Sequence, residues 1–182
     1  KGLITKSEVR TVSIAKLRLT APDLILWDIG SGSGSVSVEC SGLIHQGRVY
    51  AFEKKSDRVK DIHHNLKTFG CKNVTVHQSA FPQGADQFEK PDRIFIGGGG
   101  KELGQVVDQA ARFLRPGGVI VVNTVLLETL EMAIQALESN QITPEVIQIQ
   151  VSRSRTMPFG RRFQALNPVW IISGSNTTKA DQ

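Results

Sequence analysis

The chain has 182 residues, of which 40% are hydrophobic and 21% charged, a balance typical of one globular domain with a sizeable core. No apolar run approaches the roughly 18 residues that a membrane-spanning helix needs. The two cysteines, Cys40 and Cys71, lack the spacing of a zinc site or a disulfide framework, which favours a reducing cytoplasm. The net charge of +5 indicates an anionic partner, either nucleic acid or a polycarboxylate.

The N-terminus predicts a capped helix. Thr5 and Glu8 have the spacing of a capping box, with Thr5 as the N-cap and Glu8 at N3, and the helix is expected to run to about Leu19. No secretory signal is visible before it. A start at Lys1 rather than Met is consistent with a segment cut from a longer protein.

The prediction of function rests chiefly on residues 24–39. They are typical of a buried strand at 24–29, a sharp turn with Gly30, Gly32 and Gly34, and the beginning of a helix. Glycines let the backbone turn tightly and approach a ligand closely. A helix N-terminus offers free N–H groups and a positive dipole end, so something anionic is expected there.

A second strand, at residues 48–53, ends in a carboxylate, Glu53, about 20 residues after the glycines. An acidic side chain at this distance is typical of a contact to the ribose hydroxyls of a bound nucleoside. A dinucleotide site needs glycine where Ser35 stands. The pattern therefore disfavours a nicotinamide cofactor.

The motif Asp28-x-Gly30-x-Gly32-x-Gly34 is similar to the first motif of class I methyltransferases, which bind S-adenosylmethionine. In such a site the helix N-terminus takes the methionine carboxylate of the cofactor. Asp28 is expected to contact the methionine ammonium, directly or through water. Glu53 is expected to take the ribose.

The rest of the chain alternates between helix and strand patterns. A helix from Ser56 carries an apolar stripe that ends at Phe69, and Gly70 stops it. Residues 83–90 are polar and give no clear prediction. The further predicted elements are strands at 73–78, 91–97 and 119–122, helices at 103–114 and 126–140, and two late strands at 146–151 and 169–172 joined by a basic loop.

This alternation predicts an α/β fold with a mostly parallel sheet and helices on both faces. The last two strands have no predicted helix between them and are expected to pair antiparallel. The result is the Rossmann-like layout of class I S-adenosylmethionine-dependent methyltransferases, a seven-stranded, mostly parallel sheet with an antiparallel last strand. One domain is expected over residues 1–174, followed by a disordered tail at 175–182.

The end of the fourth strand indicates what kind of acceptor is methylated. Enzymes that methylate the amines of nucleic-acid bases usually carry Asn- or Asp-Pro-Pro-aromatic there, whereas this chain has four glycines at residues 97–100. These glycines leave open space and free backbone N–H groups, which suit a large substrate or a carboxylate. A flexible turn before the next helix is the alternative.

The basic loop at residues 152–162 holds four arginines, among them Arg153 and Arg155. Arginine forks suit carboxylates and phosphates, so one interpretation is a clamp for an anionic substrate. The other is a solvated hairpin loop or a subunit contact, and both stay open. Only two aromatic residues lie nearby, so a base-stacking platform is poorly supported.

Several features occur together in one order. They are Thr-Lys-Ser-Glu-Val-Arg at residues 5–10, the glycine loop at 28–39, the glycine-rich segment at 95–100, Leu-Leu-Glu-Thr at 126–129 and Asn-Pro-Val at 167–169. In these motifs the chain resembles the decarboxylating precorrin-6Y C5,15-methyltransferase family, specifically its C-terminal domain or the stand-alone small subunit. The similarity covers roughly residues 2–174.

The resemblance implies S-adenosylmethionine-dependent methylation of carbon 15 of the precorrin macrocycle, with loss of carbon dioxide from the ring C acetate, in cobalamin biosynthesis. It also implies a homotetramer, fused to or paired with a second methyltransferase domain. Relatives carry an acid where Ser79 stands, so the backbone of Ala80 is expected to replace that contact to adenine.

The predicted cofactor-binding residues are Thr5, Asp28, Gly30, Ser31, Gly32, Ser33, Gly34, Glu53, Ser79, Ala80 and Gly97. The predicted substrate-binding residues are Gly98, Gly99, Arg153 and Arg155. No catalytic acid or base is assigned, and no metal is expected. Two rival functions stay open: an RNA methyltransferase of the same fold, favoured by the positive charge, and a non-catalytic cofactor-binding subunit.

Overall fold

The computed structural model describes residues 6–176, where five α-helices and nine β-strands are present. The helices are α1 (Ser7–Lys16), α2 (Ser35–Leu43), α3 (Ser56–Thr68), α4 (Leu103–Phe113) and α5 (Leu127–Ser139). The strands are β1 (Ile25–Ile29), β2 (Arg48–Phe52), β3 (Val74–His77), β4 (Arg93–Ile96), β5 (Val119–Thr124), β6 (Glu145–Ile149), β7 (Ser152–Met157), β8 (Gly160–Ala165) and β9 (Val169–Ser175).

Seven strands form one sheet in the order β3-β2-β1-β4-β5-β9-β6. The pairs among β1 to β5 are parallel, and β9 is antiparallel to both β5 and β6. The predicted fold is therefore confirmed. The reversal arises because β6 and β9 are joined by a hairpin and not by the helical crossover that a parallel pair needs.

Helices cover the sheet on both faces, because its central strands are apolar on both sides. All five residues of β1 are buried. Trp27 packs on the side of α4 and α5, in a cluster with Val107 and Ala133. Leu26 packs on the opposite side, in a cluster with Val9 of α1. The carboxyl ends of the parallel strands thus meet at one edge that is supported from both sides.

The N-terminal helix differs from its prediction at both ends. Its N-cap is Lys6, which makes no side-chain capping bond, and Thr5 lies outside the described residues. The helix ends at Lys16 rather than Leu19, because Arg18 adopts a positive φ of 51° that α-helix does not allow. The carboxylate of Glu8, predicted as the N3 residue of the capping box, accepts hydrogen bonds from an arginine of the hairpin described next.

The predicted basic loop is a β-hairpin made of β7 and β8. The two strands pair antiparallel from Ser152 opposite Ala165 to Met157 opposite Gly160, and all twelve of their residues are exposed. Sequence patterning missed these strands because neither has a buried face, so hydrophobic and polar residues do not alternate.

Three smaller features differ from the predictions or lie where none was made, and residues 177–182 of the predicted tail lie outside the described residues. Phe69 does not belong to the buried stripe of α3, since the helix ends at Thr68 and the Phe69 side chain is 68% exposed. Residues 83–90 are ordered around a short 3₁₀ helix, Ala85–Gln87, and Phe88 packs against the core. Order also extends past residue 174, because β9 ends at Ser175 and the Asn176 N–H donates to the Gly118 carbonyl at 2.9 Å.

Candidate functional site

The glycine loop after β1 depends on backbone conformations that other residues rarely adopt. Gly30, Gly32 and Gly34 have φ values of 72°, 60° and 75°. Gly30 also lies against the segment after β4, where an added Cβ would be 2.9 Å from the Gly98 nitrogen. The predicted cofactor loop and the predicted substrate glycines are therefore in direct contact.

Asp28 lies beneath this loop and caps α2. Its Oδ2 accepts bonds from the Ser37 backbone N–H at 3.1 Å and from the Ser37 hydroxyl. The side chain is fully buried, and its Oδ1 has no partner among the described residues. Burial raises the pKa of the Asp28 carboxyl to about 6, opposed by the two Ser37 hydrogen bonds and assisted by the charge of Glu53. The anion expected at the start of α2 is thus supplied in part by the protein itself.

Glu53 follows β2 and joins two segments of the same edge. Its Oε2 accepts from the Gly32 N–H at 2.9 Å, and its Oε1 accepts from the Lys55 N–H at 2.9 Å. The side chain is buried, with 8% exposure. Each carboxylate oxygen has two acceptor positions, so one on each remains for a further donor such as a hydroxyl.

Two predicted cofactor residues, Ser31 and Ser33, hold the loop in place. The Ser31 hydroxyl donates to the Asp28 carbonyl at 2.6 Å and is buried. The Ser33 carbonyl accepts from the Asn65 side chain of α3 at 2.9 Å. The loop is therefore held by hydrogen bonds to both β1 and α3.

Ser79 and Ala80 lie in a tight turn after β3. The Ser79 hydroxyl donates to the Gln83 carbonyl at 3.0 Å, and the Gln83 N–H donates to the Ala80 carbonyl at 2.9 Å. The Ser79 hydroxyl therefore bonds within the turn, whereas Ala80 is exposed. The contact of the Ala80 backbone to adenine stays a prediction.

A cavity of about 420 Å³ opens on the other side of the glycine segment, between α1, the ends of β4 and β5, the start of α5 and the start of β9. It is lined by Lys6, Val9, Gly97, Gly98, Gly99, Gly100, Leu103, Asn123, Thr124, Val125, Leu126, Thr129, Asn167 and Val169. Gly98 and Gly99, which are predicted to bind substrate, line this cavity. Gly97 lines it too, although it was expected on the cofactor side.

Among residues 6–176, Lys6 is the one charged side chain that lines this cavity, and no described carboxylate forms an ion pair with it. Sequence reasoning missed Lys6, because it treated residues 5–8 only as a capping box. Asn123 was missed as well. It ends the buried run of β5, where its Nδ2 donates to the Ser13 hydroxyl of α1 at 2.8 Å, and a polar residue ending an apolar strand was the available signal.

The two predicted substrate arginines lie on the hairpin and do not line the cavity. Arg153 makes an ion pair with Glu8 of α1, with its Nη2 at 2.9 and 2.8 Å from the two carboxylate oxygens. The hydrogen bond from Arg153 lowers the pKa of Glu8 to about 2. Arg155, one step further along the same strand face, has no partner among the described residues.

The edge fits a cofactor with an ammonium, a carboxylate and a ribose. Asp28 offers an unpartnered buried oxygen to a cationic donor, and Glu53 retains acceptor positions for hydroxyls. Gly32 has open space around its Cα, since the nearest atom to an added Cβ is 4.0 Å away. The donors and acceptors of S-adenosylmethionine match this set.

Two further observations bear on the class of chemistry. Within residues 6–176 no group of three or more His, Cys, Asp or Glu side chains is arranged to hold a metal ion. None of the described helices is long and apolar enough to cross a membrane.

Comparison with known proteins gives consistent matches. The precorrin methyltransferase domain family matches residues 1–175. A probable cobalt-precorrin-6B C(15)-methyltransferase (decarboxylating) from Saccharolobus solfataricus is 34% identical, and the match covers 94% of this chain and 87% of that protein.

Two solved structures share the architecture. The precorrin-6y C5,15-methyltransferase of Geobacter metallireducens has a TM-score of 0.90 and 43% identity, covering 96% of this chain and 91% of that one. The precorrin 8W decarboxylase of Methanobacterium thermoautotrophicum has a TM-score of 0.87 and 28% identity, covering 95% and 92%. This chain, which has a glycine loop, a carboxylate after β2 and a glycine-lined cavity, belongs to the precorrin methyltransferase family.

Proposed function

We propose that the protein methylates carbon 15 of a precorrin-type macrocycle and removes the ring C acetate carboxyl as carbon dioxide, in cobalamin biosynthesis. The observation that carries the proposal is the family match over residues 1–175. Relatives with decarboxylating C(15)-methyltransferase names align over almost the whole chain and over 87% of their own length.

The cavity supports a large, flat and anionic acceptor. Its lining is mostly glycine and aliphatic, and its volume is in the range of small-molecule sites. A tetrapyrrole is larger than this space, so part of it enters and the rest lies on the rim, where Val125 and Leu126 are 40% and 55% exposed. Lys6 supplies a positive charge for one carboxylate of the macrocycle.

The absence of carboxylates from the lining suits decarboxylation. No Asp or Glu lines the cavity in the described part of the chain, so a substrate carboxylate entering it meets no like charge there. When carbon dioxide leaves, the electron pair of the broken carbon–carbon bond moves into the conjugated macrocycle, and a proton then adds to carbon. The protein's part is to orient the ring and exclude water, which supplies several kcal/mol without a strong base.

S-adenosylmethionine is the proposed cofactor, and when bound it supplies the electrophilic methyl group. Asp28 would hold its ammonium, Glu53 its ribose, and the segment after β3 its adenine, with Ala80 offering backbone. Gly30 and Gly98 touch, so this binding edge and the cavity share one wall. That wall is where donor and acceptor meet.

We also propose a homotetramer in the cytoplasm. The hairpin leaves Phe159 and Phe163 at 104% and 76% exposure, which suits contact with another subunit. Cys40 and Cys71 are both unpaired, which suits a reducing compartment. Light scattering of the purified protein measures the assembly.

The test of the activity is incubation with a precorrin substrate and S-adenosylmethionine, followed by mass spectrometry. Gain of one methyl group together with loss of carbon dioxide supports the proposal. Methyl transfer to tRNA with salt-sensitive binding would replace it with the RNA methyltransferase function. Cofactor binding without any methyl transfer to precorrin would indicate instead that the protein is a non-catalytic cofactor-binding subunit.

A further inference from the structure

The register of the hairpin divides its four arginines between two faces. Residues directly opposite each other in an antiparallel pair share a face, and neighbours along a strand alternate. Arg155 lies opposite Arg162, and Arg153 is two residues before Arg155, so these three share one face. Arg161 lies opposite Thr156 and faces the other way.

The ion pair between Arg153 and Glu8 shows which way the three-arginine face is turned. Glu8 belongs to α1, and Lys6 and Val9, on either side of it, line the cavity. The chain that leaves β8 returns to the same cavity at Asn167. The face that carries Arg155 and Arg162 is therefore turned toward α1, the helix whose residue Val9 lines the cavity.

Arg155 and Arg162 form a pair of like charges. Directly opposite side chains have Cβ atoms about 5 Å apart, and like charges in that position destabilise a strand pair. Neither arginine side chain has a hydrogen bond or an ion pair with any described residue, whereas the Arg153 side chain binds Glu8. Each guanidinium is a fork of N–H donors that matches a carboxylate, and two forks on opposite residues concentrate positive charge where one anionic group binds.

We infer that Arg155 and Arg162 together bind a carboxylate at the rim of the macrocycle, outside the cavity. The inference rests on the proposed function for the identity of the ligand. Arg153 is then a positioning residue, which holds the hairpin against α1 through Glu8 and does not bind substrate. Arg155 is about 7 Å further along the strand than Arg153, so the clamp reaches beyond the part of the macrocycle that Lys6 contacts.

The test replaces Arg155 and Arg162 with glutamine, singly and together, and uses Arg161→Gln as the matched control on the opposite face. Each single clamp variant is expected to raise the KM for the precorrin about tenfold, the effect of one lost charge-assisted hydrogen bond. The kcat and the affinity for S-adenosylhomocysteine are expected to stay unchanged. Arg161→Gln is expected to behave as wild type.

An equal effect of Arg161→Gln would overturn the clamp, because it would show general attraction by a basic hairpin. No effect of the clamp variants would overturn it as well. A fall in oligomeric mass that accompanies the loss of affinity would reassign Arg155 and Arg162 to a subunit contact.

A second measurement separates the clamp from the catalytic proposal. Uroporphyrin, a stable porphyrin that carries carboxylates on every ring, serves as the probe, and its fluorescence reports binding without turnover. Weaker binding by the Arg155 and Arg162 variants alone supports the clamp even if wild-type protein turns over no precorrin, a result that would overturn only the proposed function. Equal binding by all variants overturns the clamp.

Discussion

The edge at the ends of β1 and β2 and the cavity beyond β4 are built in opposite ways. At the first edge the polar groups of Asp28, Ser31 and Glu53 are buried and bonded to nearby backbone. The cavity region is lined mostly by glycines and aliphatic side chains, and all residues of the hairpin strands are exposed. A fixed set of donors and acceptors suits one cofactor, whereas an open, weakly bonded region suits a large substrate that supplies its own partners.

The largest expected effect comes from a substitution at the contact between the two regions. Gly30→Ala places a Cβ 2.9 Å from the Gly98 nitrogen at a positive φ, so unfolding free energy is expected to fall by about 2–4 kcal/mol. Gly32→Ala is the control, with the same kind of φ but open space, and is expected to lose about 1–2 kcal/mol. Urea unfolding measures both, and equal losses would refute the packing argument.

Asp28→Ala tests whether Asp28 stabilises the first region by accepting hydrogen bonds from Ser37 of α2. The substitution leaves the buried N–H and hydroxyl of Ser37 without their acceptor, which is expected to cost about 1–3 kcal/mol. Asp28→Asn keeps an acceptor oxygen and is expected to recover most of this loss. If both variants unfold at the same urea concentration, the capping role of Asp28 is wrong.

Glu53→Gln tests whether the charged carboxylate of the first region contributes to cofactor binding. The amide can still accept one of the two backbone bonds but lacks the charge, so affinity for S-adenosylhomocysteine is expected to fall about 10-fold to 100-fold. Titration calorimetry measures it. Asp57→Asn, at the exposed start of α3, is a control expected to have no effect. Unchanged affinity in Glu53→Gln would remove Glu53 from the cofactor site.

Lys6→Gln is the corresponding change in the cavity. Removal of its positive charge is expected to lower kcat/KM for the precorrin about tenfold while leaving S-adenosylhomocysteine affinity intact. Lys67→Gln, on the exposed face of α3, serves as control. If Lys6→Gln weakened cofactor binding instead, the separation between the two regions would not hold.

The smallest expected effect is a pH dependence of cofactor affinity. The Asp28 pKa is raised from 3.8 to about 6 in the folded protein, so this group stabilises the fold fully below pH 3.8 and loses that contribution as the pH rises through 6. Attraction of a ligand ammonium has the opposite trend, because only the ionised carboxylate provides it. S-adenosylhomocysteine is therefore expected to bind a few-fold more weakly at pH 5.5 than at pH 7.5. Asp28→Asn should abolish the difference, and a persisting one would assign it to another group.

The sequence by itself determined the sheet and placed the predicted cofactor residues at its edge. Five apolar strands with helices between them allow few packings, and the glycine motif with Glu53 is local in sequence, since two neighbouring strands of a parallel sheet end at the same edge. The predicted fold was confirmed by the strand order and by the antiparallel pairing of β9.

Tertiary structure decided the acceptor region. Lys6 and Asn123 are far apart in the chain and reach one cavity only because α1 packs across β5, a contact that no local pattern encodes. The hairpin has no buried face and thus no hydrophobic period, so its strands and the division of its arginines depend on register. The same packing brings Arg153 to the Glu8 carboxylate, an ion pair between residues 145 positions apart that no local pattern encodes.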